Sequence, residues 1–330
     1  MSLSQFVSDQ YTKLPIIPTP ALCANKTFIV TGSNTGLGFE AAKRLVSLSP
    51  SRVILAVRTL KNGEAAKSKI EAETGKKGIA EVWQLDLSSY DSVKAFARKV
   101  QGLDRLDAII ENASVALAVW EPAEGLETTL TVNVTSTFLL AAMVLPKLKD
   151  TARKTGEKTH LTVIGSGVAF MVPGRLEKVE GDVLDSMGKK NNSVMLERYQ
   201  ESKLLQLYAV RQLASLNPVS ETGVIINYIN PGLCYSELTR NVAFILKAQI
   251  KFMRLLFGRS TEVGSRTLLA GAFAGEESHG KYSSELDDER IRKANPTAGM
   301  GKFDEKVEHY PARLCLSPIV VKFSVFFSLW

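Results

Sequence analysis

Cysteine and histidine are scarce in this chain of 330 residues, with three of each. Cys23, Cys234 and Cys315 stand far apart, as do His160, His279 and His309. Neither set has the spacing of a disulfide framework or a metal site, so a cystine-stapled scaffold and a zinc module are unsupported. There is no internal repeat, and no stretch of glycine, proline or serine is long enough to serve as a linker, so a second independent domain is not expected. A secretory leader is also missing: within the first twenty residues, Asp9, Lys13 and the prolines at 15, 18 and 20 interrupt any apolar core. The expectation is a reduced, cytoplasmic protein. No nucleic-acid-binding motif accompanies the net charge of +7, so that class of partner is rejected. The cationic excess favours weak attraction to anionic membranes or metabolites and does not bear on the fold.

What is present is a chain with 45% hydrophobic residues, long enough to bury a large core. Apolar runs of strand length fall near 26–31, 52–57, 81–86, 106–111, 160–165 and 223–229. Helical periodicity falls near 37–48, 61–74, 89–101, 124–149, 195–216 and 239–256. This alternation predicts an α/β fold: a doubly wound parallel sheet covered by helices on both faces, in three αβα layers and one domain.

The first strand runs into Gly32, Ser33, Asn34, Thr35, Gly36, Leu37 and Gly38, followed at once by an amphipathic helix. Strand, glycine turn and helix is the order of a dinucleotide (Rossmann) site. Gly32 allows the tight turn, Gly36 lets the backbone approach a pyrophosphate, and Gly38 lets helix pack on strand. The spacing Gly-x-x-x-Gly-x-Gly differs from the usual Gly-x-Gly-x-x-Gly fingerprint. A second signal is Tyr199-Gln200-Glu201-Ser202-Lys203, in which a phenol and an ammonium one helical turn apart share a face. A free phenol has a pKa near ~10, and a neighbouring ammonium favours its ionised form, which suits acid-base chemistry on a carbonyl or alcohol.

Together these motifs resemble the short-chain dehydrogenase/reductases, and the likeness extends over roughly residues 26–285. Asp86-Leu87 matches the acidic position that meets the adenine. Asn112-Ala113-Ser114 matches the family's Asn-Ala-Gly, Asn133 its helix asparagine, Ser166 its serine, and Pro231-Gly232-Leu233 its Pro-Gly element. Ser236 falls where the family often has a threonine on the nicotinamide carboxamide. The resemblance implies that Tyr199 transfers a proton at the substrate oxygen, that Lys203 tunes Tyr199 and holds the nicotinamide ribose, that Ser166 holds the carbonyl, and that Asn133 fixes a water linking Lys203 to solvent. It departs from the pattern at Ser114, which replaces a glycine, and at Glu111, where many relatives carry asparagine. Within the family, the chain looks like the retinol-dehydrogenase-like branch and like reductases that tailor polyketides or terpenoids in fungal secondary metabolism.

The second strand ends in Ala56-Val57-Arg58 and lacks the carboxylate that an NAD enzyme places there for the ribose 2′-hydroxyl. Arg58, with Lys61 nearby, suits a 2′-phosphate, so NADP(H) is expected in preference to NAD(H). Ser166 and Tyr199 are 33 residues apart, longer than the family spacing, so 172–193 is read as an insertion of mobile-loop composition over or beside the site.

The helix within 236–260 carries Lys247, Lys251 and Arg254 on one face, and its apolar remainder is expected to cover a hydrophobic substrate. An interfacial membrane contact is the rival reading. The domain is thus placed at 26–300, after an N-terminal extension 1–25 and before an apolar tail 301–330. From Leu314 to Trp330 that tail is short for spanning a bilayer, and packing or subunit association is favoured. The functional expectation is interconversion of a ketone and a secondary alcohol on a sizeable apolar molecule. A dinucleotide-sensing scaffold without chemistry stays open as the alternative, and helices 124–149 and 195–216 leave room for a homo-oligomer.

Overall fold

The computed structural model describes residues 3–14, 16–172, 176, 179, 182–190, 195–236, 238 and 244–284, with the side chains of 3–5 and 244–249 excluded. The apolar tail 301–330 and the last part of the 26–300 domain lie outside the described residues. So do parts of the 172–193 and 236–260 segments and the side chain of Lys247.

The elements run α1 (Leu3–Tyr11), α2 (Pro20–Cys23), β1 (Thr27–Thr31), α3 (Gly36–Ser47), β2 (Arg52–Val57), α4 (Leu60–Thr74), β3 (Ala80–Gln84), α5 (Tyr90–Gln101) and β4 (Ala108–Glu111). The hairpin β5 (Pro122–Ala123) and β6 (Leu126–Glu127) follows, then α6 (Thr128–Leu130), α7 (Thr137–Thr155), β7 (Thr159–Ile164), α8 (Val183–Gly188) and α9 (Met195–Ser215). Last come α10 (Val219–Thr222), β8 (Val224–Ile229), α11 (Phe244–Phe257), α12 (Thr261–Ala272) and β9 (Tyr282–Ser283). Seven strands form one sheet in the order β3-β2-β1-β4-β7-β8-β9, and every pair is parallel.

The expected doubly wound α/β architecture is therefore present. Successive strand residues point to opposite faces. Ile29, Ile54, Ile109, Leu161 and Ile226 pack into one core with α5, α7 and α9. Phe28, Val53, Leu55, Ala108 and Ile110 pack into the other with α3, α4 and α12. Both faces are covered, which is why these strands read as unbroken apolar runs.

Two expectations change. The helix read through 124–149 is interrupted: Glu124 and Gly125 adopt left-handed backbone in the β5–β6 turn, and a π-helical turn occupies Thr131–Ser136 before α7 begins. The run of β-branched and hydroxyl residues there competes for backbone partners. Thr131 Oγ1 donates to Ala123 O at 2.8 Å and Thr137 Oγ1 to Val132 O at 2.9 Å. The second change concerns 172–193, whose described part packs inward. Leu176, Val183, Leu184 and Met187 join the core, and Trp120 Nε1 donates to Gly188 O at 3.0 Å. The spacing of Val183, Leu184 and Met187 makes one apolar face on α8.

Thr128–Thr155 is long and apolar enough to cross a membrane, but 89% of its apolar window is buried, so it serves here as a core helix. At its N-terminal end Glu127, fully buried, accepts from Thr129 N at 2.7 Å and Leu130 N at 3.2 Å. It also lies 3.6 Å from the guanidinium of buried Arg198, which meets Glu201 at 3.1 Å and donates to Met187 O at 2.7 Å. This cluster ties α6, α8 and α9 together. Removing one partner of a buried ion cluster leaves charge without compensation. Glu127→Ala is therefore expected to destabilise the fold by about 3 kcal/mol in urea denaturation, and Glu127→Gln, which keeps an acceptor, by less.

Candidate active site

In open α/β sheets a crevice forms outside the strand C-termini where the strand order reverses. Here β1 and β4 diverge at that point, and a cleft of about 1020 Å³ opens there. Its floor comes from the turn after β1. Gly32 and Gly36 have φ of +64° and +62°, a region that side chains avoid. A Cβ on Gly38 would stand 2.5 Å from Asn112 Nδ2 and 2.6 Å from Gly32 O. Asn112 Nδ2 donates to Thr31 O at 2.9 Å, and Ala113 N donates to Thr31 Oγ1 at 2.9 Å, so the ends of β1 and β4 are locked together beneath the turn.

Gly32, Asn34, Thr35, Gly36 and Leu37 line the cleft, while Ser33 is fully buried beneath it with no partner for its hydroxyl. A bare backbone cradle at the N-terminus of α3 with an unused buried hydroxyl fits a dinucleotide pyrophosphate. Asp86 and Leu87 line the adjoining end, with Asp86 Oδ1 accepting from Ser88 N at 2.9 Å and Ser88 Oγ at 2.6 Å. Arg58 is exposed and lines the cleft beside Thr59 and Asn62. Lys61 is exposed but is not brought to the lining, because its place on the first turn of α4 turns it away.

Pro231, Gly232, Leu233 and Ser236 line the opposite wall. Gln10 of α1 grips this loop: its Nε2 donates to Leu233 O at 3.0 Å and Phe257 O at 2.7 Å, and its Oε1 accepts from Leu233 N at 2.9 Å. Arg254 of α11 donates to Ser236 O at 3.1 Å and Ser236 Oγ at 3.2 Å. Leu238, Ile250, Met253, Met171, Met195 and Leu196 make the outer walls apolar. The 236–260 segment thus borders the cleft as expected, whereas none of the described residues of 172–193 does.

Ser166, Tyr199 and Lys203 meet on the inner wall of the cleft. Ser166 follows β7, its N–H donating to Tyr228 Oη at 3.2 Å. The Lys203 ammonium stands 5.5 Å from the centre of the Tyr199 ring and donates to Ile164 O at 2.9 Å and Gln206 Oε1 at 2.8 Å. Burial pulls its pKa down to about 7. Burial pushes the Tyr199 phenol well up, opposed by hydrogen bonds from the Ser166 and Ser114 hydroxyls and by the charge of Arg254. Desolvation thus outweighs the lowering expected for Tyr199 from sequence.

Asn133, fully buried in the π turn, does not line the cleft. Its Oδ1 accepts from Ser114 Oγ at 3.0 Å and Val115 N at 2.9 Å, and its Nδ2 donates to Val115 O at 2.9 Å and Ser202 Oγ at 3.0 Å. Its carbonyl accepts from Gln206 Nε2, and Gln206 Oε1 accepts from Lys203, so the Gln206 amide links Asn133 to Lys203. Sequence reading also missed the contacts of Ser114, Gln206, Gln10 and Arg254. The signal for Ser114 was its departure from Asn-Ala-Gly, and for Gln206 its position one turn past Lys203.

A glycine cradle at the switch point of a parallel sheet, with a half-buried tyrosine and a buried lysine beside it, defines a nicotinamide-dinucleotide oxidoreductase site. Residues 26–175 match the family model described as short chain dehydrogenase. The chain is 43% identical to the short chain dehydrogenase/reductase dmxR8 of Cryptosporiopsis sp., over 80% of this chain and 82% of that protein. It is 38% identical to the short chain dehydrogenase atnD of Emericella nidulans, over 85% and 90%.

Two solved structures share the fold. One is a short-chain dehydrogenase from Sphingobium yanoikuyae in complex with NADPH (TM-score 0.55, 20% identity, covering 74% of this chain and 84% of that one). The other is the Pseudomonas aeruginosa RhlG/NADP active-site complex (TM-score 0.59, 23% identity, covering 80% and 95%). The chain belongs to the short-chain dehydrogenase/reductase family, oxidoreductases that bind NAD(P) and act on CH–OH and C=O groups of small molecules.

The depressed Lys203 pKa has a consequence for stability. Between about 7 and the ordinary value of 10.5 the unfolded chain holds a proton on Lys203 that the folded chain does not. Where the unfolded state binds more protons, stability rises with pH, so this residue's contribution increases across that window and is least favourable below it. Lys203→Met is expected to raise the melting temperature most at pH 6 to 7 and least near pH 10, measured by calorimetry across that range.

Proposed function

We propose that the protein is an NADP(H)-dependent, cytoplasmic reductase that interconverts a ketone and a secondary alcohol on a sizeable apolar molecule of the polyketide or terpenoid kind. The observation that carries this reading is the convergence of Ser166, Tyr199 and Lys203 on a cleft whose outer walls are Leu, Ile and Met side chains. A nicotinamide held in the cleft would supply or accept the hydride. The Tyr199 phenol, kept protonated by burial, donates its proton to the substrate oxygen. Ser166 offers that oxygen a second hydroxyl donor, and the Lys203 ammonium stabilises the phenolate left on Tyr199.

Gly32 to Gly38 would hold the pyrophosphate and Asp86 the adenine end, with Ala113, Pro231 and Leu233 flanking the nicotinamide half. Ser236 would meet its carboxamide, and its link to Arg254 ties the covering helix to that end. The preference for NADP(H) rests on Arg58, which follows β2 and lines the cleft with Thr59 and Asn62.

Fluorescence titration tests the cofactor. NADPH is expected to bind more tightly than NADH, and Arg58→Ala to weaken NADPH about tenfold or more while leaving NADH unchanged; equal affinities in the parent protein would overturn the preference. Separately, Tyr199→Phe is expected to lower turnover of an apolar ketone about 10²- to 10⁴-fold with cofactor affinity retained. Turnover that survives this substitution would remove Tyr199 from the chemistry.

A further inference from the structure

The ammonium of Lys203 is held from behind as well as from the cleft side. Lys203 and Gln206 are each 1% exposed and Asn133 is fully buried, so this corner is shut off from bulk solvent. Within it Lys203 Nζ donates to Ile164 O at 2.9 Å and Gln206 Oε1 at 2.8 Å, and Gln206 Nε2 donates to Asn133 O. The carbonyl of Asn133 is open to this contact because the backbone leaves its α-helical register: the Thr137 N–H turns to Val134 O instead. Gln206 in turn sits one turn after Lys203 on α9, on the same face.

The orientation of this carboxamide is fixed by chemistry. Turning it over would set an N–H against an ammonium and an oxygen against a carbonyl oxygen, two repulsions in place of two hydrogen bonds. The oxygen that Lys203 meets is therefore permanent. A carboxamide also differs from a water or hydroxyl in that it does not pass a proton from one neighbour to the next.

The other titratable groups around Lys203 are Tyr199 on its own helix and Tyr228 from β8, whose hydroxyl donates to Lys203 O at 2.9 Å. Tyr228 stacks on Tyr282 of β9, and burial pushes its phenol well up. Burial also pushes the carboxyl of Glu111, at the end of β4, well up. The oxygens of Ile164 and Gln206 are the contacts that favour the charged form of Lys203 against the burial that opposes it.

We propose that Gln206 is a positioning residue for the acid-base pair: its carboxamide braces the Lys203 ammonium between the Ile164 and Asn133 carbonyls, favours its charged form, holds it close to Tyr199, and closes the inner path by which Lys203 would exchange protons with solvent. The proton that Tyr199 gives up is then replaced through the cleft. The catalytic half of this statement rests on the reading of Tyr199 and Lys203 as the acid-base pair, whereas the brace itself does not.

The test is the protonation midpoint of Lys203, read from its ε-carbon NMR shift in 13C-lysine-labelled protein and assigned with Lys203→Met, in the parent, Gln206→Met and Gln206→Glu. Gln206→Met removes the acceptor at similar volume and is expected to lower the midpoint by about one pH unit or more; Gln206→Glu supplies a carboxylate and is expected to raise it. Each variant's melting curve shows that the fold is retained, and should Gln206→Met fail to fold, Gln206→Glu alone decides. An unmoved midpoint in the folded variants overturns the proposal. In NADPH-dependent turnover of an apolar ketone the alkaline limb of kcat should move in the same directions. Midpoints that move in a protein that neither binds NADPH nor turns over ketones would uphold the brace and overturn the reductase reading.

Discussion

A buried ammonium is the constraint around which this molecule is arranged. Lys203 has lost nearly all contact with water, a state costly to a charge unless oxygens replace the lost hydration. Ile164 O supplies one because β7 ends directly beneath α9, and Gln206 supplies another because the chain before α7 departs from α-helical geometry. The π turn is thereby accounted for: it presents Asn133 O to Gln206 while the Asn133 side chain bonds Ser114, Val115 and Ser202. One residue therefore couples the strand-end loop after β4, the α6–α7 segment and α9. The hydrogen bonds in this corner are closed by protein atoms, a condition under which buried polar networks rigidify the surrounding structure.

The same logic explains the second buried charge group. Arg198 and Glu201 flank Tyr199 on α9, the helix that carries the chemistry, and Glu127 meets Arg198 from the end of β6. Arg198 reaches back to Met187 O, so the insertion between Ser166 and Tyr199 is attached to α9 at its far end. The described part of the insertion, anchored by core side chains and by a guanidinium, supports the start of α9, and Ile250 and Met253 of α11 supply apolar cover to the cleft. On α11 the division of faces is sharp: Ile250, Met253 and Arg254 border the cleft, whereas Phe252 and Leu255 are 60% and 74% exposed.

Much of the fold was legible because its signals are local. β1, β2, β7 and β8 were readable as apolar runs since both of their faces are covered, and the glycine turn was readable since left-handed backbone and close approach demand glycine at Gly32, Gly36 and Gly38. Tyr199 and Lys203 were readable because helical spacing alone puts them on one face. What escaped was long-range. The turn after β5 lay inside a stretch whose apolar content reads as helix, and nothing local announces that the Asn133 carbonyl meets an amide 73 residues later. Arg58 and Lys61 were indistinguishable as nearby cations. Only the first turn of α4 separates them, bringing Thr59 and Asn62 to the cleft and turning Lys61 away.

The N-terminal extension shows the same limit from the other side. Its sequence gives no hint of a partner, yet Gln10 saturates both backbone groups of Leu233 and the carbonyl of Phe257, more than two hundred residues away. Arg259 answers from the other direction, donating to Gln10 O at 3.2 Å and to Pro231 O at 3.2 Å. Gly232, at φ +76°, brings its backbone so close that a Cβ there would collide with Gln10 and with the Arg259 guanidinium. The loop that borders the nicotinamide half of the cleft thus takes its shape from a residue in α1 and one before α12, and not from its own sequence. Without α1 the Leu233 N–H would lose its acceptor, while Leu233 O would keep the Arg259 N–H, which donates to it at 2.8 Å. The extension is therefore part of the cleft wall, and Phe6 and Asp9, which line the cleft beside Gln10, extend that wall toward the glycine turn.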